Sequence, residues 1–96
     1  MTKRYDVKIT LVSQLKKCPA GHKVGDEIVV RDKTPGGMCM GAFGSLLPYI
    51  TTLHFGGSFP WEKNEGEGRM CCPDPDVVNV FHLQRVERKK QGVEKD

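Results

Sequence analysis

An α+β fold is predicted by three observations. Tyr5, Val7, Ile9 and Leu11 alternate with Asp6, Lys8 and Thr10, the period-two pattern of a half-buried strand. Between residues 40 and 55 the period becomes helical, with Phe43, Leu46, Leu47, Ile50, Leu53 and His54 on one continuous face. Two further runs, 24–30 and 77–86, are rich in valine and bounded by glycine or proline turns, as strands are. These elements make a small β-sheet, ordered β-β-α-β-β along the chain, with one kinked helix packed on one face.

Each element follows from local chemistry. The first strand covers residues 5–12 and leads into a lysine-rich loop containing Pro19 and Gly21. Val24-Gly25-Asp26-Glu27 turns the chain into the second strand, and Thr34-Pro35-Gly36-Gly37 is a loop. Pro48 lies inside the helical stretch and removes a backbone donor, which predicts a kink or two short helices meeting there. Gly56-Gly57 stops the helix. Residues 62–68 are charged and glycine-bearing, an exposed loop. Residues 69–72 and 77–86 form the last two strands, joined by a Pro73-Asp74-Pro75-Asp76 turn.

Residues 1–87 make a single domain and 88–96 a polar tail. A chain of 96 residues can bury a core without help from a metal or a disulfide. Its net charge of +3 is too small to direct it to nucleic acid or to an acidic membrane surface. No apolar run is long enough to span a bilayer, and Met1-Thr2-Lys3-Arg4 leads into a strand rather than a signal segment. A cytoplasmic address with reduced thiols is the resulting expectation. An edge strand on a small sheet would permit a homodimer; no pattern names another partner.

The four cysteines carry most of the chemical information. Cys18 lies among Lys16, Lys17, His22 and Lys23, whose charge would favour the thiolate, the form that attacks and that binds metals. Cys39 follows Gly36-Gly37-Met38 at the start of the helix, where free N–H groups act in the same sense. Cys71 and Cys72 are neighbours on a strand, so they point to opposite faces and only one can join the others. Cys72, beside Pro73, is the better placed. Cys18, His22, Cys39 and Cys72 then form a Cys3His set suited to tetrahedral zinc. Without His22, three cysteines would hold an iron–sulfur cluster with one open iron. The spacing is scattered rather than paired as C-x-x-C, and cysteine is also an ordinary small core residue, so core filling stands beside both readings.

Histidines 54 and 82 lie on structural faces where a satisfied boundary residue is the usual role. Phe55-Gly56-Gly57-Ser58-Phe59-Pro60-Trp61 is denser in special residues than a plain loop requires. Phe55, Gly56, Gly57, Phe59 and Trp61 could wall a small-ligand pocket, or the aromatics could complete the core beneath the helix.

Four blocks resemble a known family. Cys18-Pro19-Ala20-Gly21-His22-Lys23-Val24-Gly25-Asp26, Gly37-Met38-Cys39-Met40-Gly41-Ala42-Phe43, Leu53-His54-Phe55-Gly56-Gly57-Ser58-Phe59-Pro60-Trp61 and Cys72-Pro73-Asp74-Pro75 are similar to those of small uncharacterised cysteine-containing proteins of bacteria and archaea. The resemblance implies cysteines at positions 18, 39 and 72, a suggestion of metal binding, and Cys71 as an extra residue. It implies no established activity.

The leading expectation is therefore a zinc-binding protein with a structural or accessory role, through Cys18, His22, Cys39 and Cys72. A thiol-dependent enzyme or redox protein is the first alternative. A metal-free ligand- or protein-binding domain built on Phe55, Phe59 and Trp61 is the second.

Overall fold

The computed structural model describes residues 4–87; the predicted polar tail, 88–96, lies outside the described residues. The elements run β1 (Asp6–Ser13), β2 (Glu27–Val30), α1 (Met40–His54), β3 (Glu67–Cys71) and β4 (Val80–Val86). The four strands make one antiparallel sheet in the order β2-β1-β4-β3, with α1 packed on one face. This is the α+β architecture and element order that the alternation and the helical period predict. Among the described residues no helix is long and apolar enough to cross a membrane.

The pleat decides which residues meet the helix. Val7, Ile9 and Leu11 of β1, Phe81 and Leu83 of β4 and Val30 of β2 are buried beneath it. Register pairs Lys8 with Gln84 and Thr10 with His82, and continues through Glu67 and Arg69 of β3, so the opposite face is polar. His82 therefore belongs to a face without core, and β4 is buried on one side only.

α1 is one uninterrupted helix of 15 residues with Pro48 inside it, not two short ones. Its buried stripe is Ala42, Leu46, Ile50 and Leu53. Phe43 and His54 are half-buried and Leu47 is exposed, so the true face is rotated from the one that the largest side chains suggest. Burying Leu46, Ile50 and Leu53 contributes about 1.5–3 kcal/mol each. Together that outweighs the cost of an interior proline, about 3 kcal/mol, and the helix persists through it.

Two details of the strands position the site. The β1–β4 register slips between Leu11 and Ser13, opposite Phe81 and Val80, a bulge that bends the end of β1. The bent chain continues over the β3–β4 turn, where Leu15 N–H donates to Val77 O at 2.8 Å. The β4 strand itself starts at Val80 rather than at 77, because residues 73–79 are used by that turn.

Candidate functional site

The β1–β2 loop, the start of α1 and the β3–β4 turn converge on one cleft. It has a volume of about 220 Å³, and Cys18, Cys39 and Cys72 all line it, together with Pro19, Ala20, Gly41, Pro73, Asp74, Val77 and Asn79. All four cysteines are free thiols. Cys71 is exposed and lies on the sheet face away from α1, whereas Cys72 is buried.

Cys18 opens a tight turn. Its carbonyl accepts the Gly21 N–H at 2.9 Å, and Gly21 has φ +88°, a left-handed conformation that a side chain would strain. The turn aims the N–H groups of Ala20, Gly21 and His22 at the Cys18 sulfur, and the Asn79 side chain adds another donor. Burial pushes the Cys18 thiol up; the donors, led by the His22 N–H, more than offset it and hold the thiol below its ordinary value. Lys16, Lys17 and Lys23 are exposed, so the thiolate is favoured by main-chain amides rather than by the lysine charge that the sequence suggests.

Cys39 is the N-cap of α1. Its sulfur accepts the Ala42 N–H at 3.3 Å, one of the donors a helix start leaves unpaired. A Cβ on Gly41 would lie 3.4 Å from Pro73 Cγ and 3.9 Å from Cys39 Sγ, ordinary van der Waals contact, so the helix start lies directly against the turn that carries Cys72. Cys72 in turn accepts the Asn79 N–H at 3.4 Å.

Asn79 and Gln14 tie these segments together, and neither is marked by any sequence motif. Asn79 is 1% exposed. Its Oδ1 accepts Gln14 Nε2 at 2.8 Å, while the same Gln14 nitrogen donates to His22 O at 2.9 Å. Val78, just before Asn79, has φ +47°, a left-handed geometry that costs a non-glycine residue about 1–2 kcal/mol. The Asp74–Val78 turn stabilises it through Val78 N–H to Asp74 O at 3.0 Å.

His22 has a different position from the thiols. It is buried but does not line the cleft, and its Nε2 accepts the Cys39 N–H at 3.1 Å. A neutral imidazole that accepts at Nε2 carries its proton on Nδ1, so in this arrangement neither nitrogen has a free lone pair. Its contact instead anchors the start of α1. Among the described residues no group of three or more His, Cys, Asp or Glu side chains is placed to hold a metal ion.

The aromatic block is divided. Phe55 lines a groove between α1 and residues 30–34, whereas Trp61 lines a separate polar hollow with Glu62, Lys63, Glu67, Arg69 and His82. Phe59 is half-buried against the core; its ring lies 5.0 Å from Tyr49 and 5.3 Å from Trp61. Gly56 and Gly57 serve the chain locally: Gly56 has φ +89° after the helix, and Gly57 O accepts Arg85 Nη1 at 2.7 Å. His54 Nδ1 meets Tyr5 O at 2.8 Å.

Comparison with protein-family models, with curated proteins and with solved structures returns no match to this chain.

Proposed function

We propose that this protein binds a zinc ion through the thiolates of Cys18, Cys39 and Cys72, and that the metal fastens three loops of the domain together. One observation carries the reading: three sulfurs from three separate segments line one cleft, and each accepts at least one main-chain N–H. Amide donors aimed at sulfur favour the charged thiolate, and they are the outer hydrogen bonds that metal–thiolate centres use to fix their ligands. The donor chemistry fits a soft, borderline ion such as zinc. Binding would require the three thiol-bearing segments to close further on one another, since the described residues hold no ready-made metal-ligand cluster. Such an ion would supply a crosslink between the β1–β2 loop, the helix start and the β3–β4 turn.

The test is elemental analysis with an absorption spectrum, on protein purified without air and without a histidine tag. About one zinc per chain, and a lower melting temperature with chelator, are expected. Cys71→Ser should keep the metal and Cys72→Ser should lose it. Protein that holds no metal and is indifferent to zinc and chelator would sink the proposal; visible absorption with iron would replace zinc by a cluster.

A second reading is favoured by Cys18 alone. Its amide-supported thiolate faces a cleft and would act as a nucleophile or redox thiol. Alkylation of Cys18 much faster than of Cys39 and Cys72 near neutral pH, in metal-free protein, would support that reading; uniform slow labelling would remove it.

A further inference from the structure

We propose that β2 is an interface for a second copy of this chain: two β2 strands pair antiparallel about a twofold axis at Val29 and join the two four-stranded sheets into one. The sheet has two edges, β2 and β3. β3 is wrapped. Phe59 stands against Gly68 on the helix side, while Glu62 meets Arg69 at 3.4 Å on the polar side, so residues 60–61 pass around that edge. β2 has no such wrap among the described residues, since residues 31–34 leave it toward the helix and wall a groove with α1.

Hydrogen-bond alternation fixes which main-chain groups of β2 look outward. Leu11 N–H donates to Asp26 O at 3.0 Å, and the register runs on through Ile9 with Ile28 and Val7 with Val30. These are the bonded pairs of an antiparallel ladder, so Ile28 and Val30 use their N–H and C=O groups on β1. Glu27 and Val29 turn theirs away from the sheet, and Arg31 is next in that alternation. Such an edge is a template for another strand, and no proline, lysine or bulge between Glu27 and Val30 guards it. Val29 is 51% exposed, an apolar side chain on the polar sheet face.

Side-chain chemistry selects both the occupant and the register. When two identical strands pair antiparallel, outward-turned residues face outward-turned residues. With Val29 opposite Val29, Glu27 of each copy faces Arg31 of the other, and the half-buried Ile28 faces Val30 on the helix side. A register centred on Glu27 sets two carboxylates against each other. One centred on Ile28 or Val30 sets Val29 against a charged side chain. Only the Val29 register matches apolar with apolar and acid with base, the pairs that stabilise facing strands. Arg31 Nε meets Asp6 at 3.3 Å, but the side chain is 64% exposed, and a guanidinium has further donors for a second carboxylate.

The reduced full-length chain is taken through a concentration series by sedimentation velocity, with circular dichroism as the fold control for each variant. A reversible dimer is expected. Val29→Lys, which sets two ammonium groups at the axis, should weaken it at least about tenfold. Glu27→Arg and Arg31→Glu should each weaken self-association by placing like charges opposite. An equimolar mixture of those two variants should restore a dimer, because every facing pair is then acid against base. Amide exchange reads the parent chain alone: the Val29 N–H should gain protection as concentration rises, while those of Ile28 and Val30 are protected throughout. Should Arg31→Glu lose its fold with its Asp6 contact, that amide reading still decides. A chain that stays monomeric to about 1 mM would overturn the proposal. So would a dimer indifferent to Val29→Lys whose Val29 amide exchanges freely at every concentration, since the contact would then lie elsewhere. A Val29-dependent dimer that the mixture of folded charge variants fails to restore would overturn the register.

Discussion

Asn79 donates its backbone N–H to Cys72 Sγ at 3.4 Å, and its side chain donates to Cys18, so one buried residue touches two of the three thiols. The relationship explains the local backbone. Val78 accepts a left-handed φ, and the chain turns so that the next amide faces Cys72 while the next side chain faces Cys18. Gln14, just past the bulge in β1, then donates to Asn79 Oδ1 and to the His22 main-chain carbonyl at once. Strand irregularity, turn strain and a buried amide therefore share one outcome, the approach of three loops.

Replacing Asn79 should separate its two contributions. Asn79→Ala keeps the backbone donor to Cys72 but removes the donor to Cys18 and the acceptor for Gln14. The expected loss of stability is about 1–3 kcal/mol, the cost of an unpaired buried polar group, read from urea melts. Alkylation of Cys18 should need a higher pH than in the parent chain. An unchanged melt together with an unchanged alkylation profile would mean that the Asn79 side chain is not holding the thiolate.

The lowered Cys18 thiol also predicts how stability varies with pH. Below its ordinary value, near about 8.5, the unfolded chain binds the thiol proton more readily than the folded one does. Folding stability from this group is therefore fully present above the unfolded value, and is lost as pH falls through the folded one. In metal-free protein, the difference in stability between the parent chain and Cys18→Ser should rise with pH across that window and then level off. A difference that is flat with pH would contradict the amide-stabilised thiolate.

How much of this was legible beforehand depends on the range of the forces involved. Alternation in β1 and the apolar period of α1 are local signals, and they lead to the sheet, the helix and their order. The rotated helix face was not legible: Ala42, the smallest residue of the stripe, is buried in the core cluster, whereas the bulkier Leu47 is exposed. Cys18 and Cys39 stood out by their turn-forming neighbours. Asn79 did not, since it falls inside the run 77–86 that reads as one strand, and its partner Gln14 is 65 residues away in the chain. His22 illustrates the same limit. Its spacing from Cys18 suggests a ligand, but its burial against the Cys39 amide is a tertiary fact.

The polar face of the sheet carries its own titration. Glu67 Oε1 lies 3.2 Å from His82 Nε2 and 3.3 Å from Asn64 Nδ2, and the His82 hydrogen bond is the main cause that holds the carboxyl below its usual range. The sign is that of a depressed acid: the contribution is present above the unfolded carboxyl value of about 4.3 and is lost as pH falls through the folded one. For a pair this exposed it stays within about 1 kcal/mol. His82→Leu should move the Glu67 titration upward in a carbon-detected NMR series. A Glu67 midpoint that does not respond would assign the shift to Asn64 instead.

Two glycines offer opposite outcomes for the same substitution. At Gly68 on β3, an added Cβ would stand 2.9 Å from Phe59 Cε2 and 3.3 Å from Phe59 Cδ2. That ring cannot step aside freely, because Tyr49 lies 5.0 Å from its centre and Trp61 is stacked 5.3 Å away on it. Gly68→Ala should therefore cost about 1–3 kcal/mol through overpacking, with a change in Trp61 fluorescence as the stack shifts. Gly44 lies inside α1, is exposed, and has nothing within 4 Å of an added Cβ. There Gly44→Ala should stabilise by up to about 1 kcal/mol, the difference in helix propensity. Both changes are read from paired urea melts. If Gly68→Ala is neutral, the ring stack is looser than its geometry implies; if Gly44→Ala fails to stabilise, the helix around Pro48 is not limited by propensity.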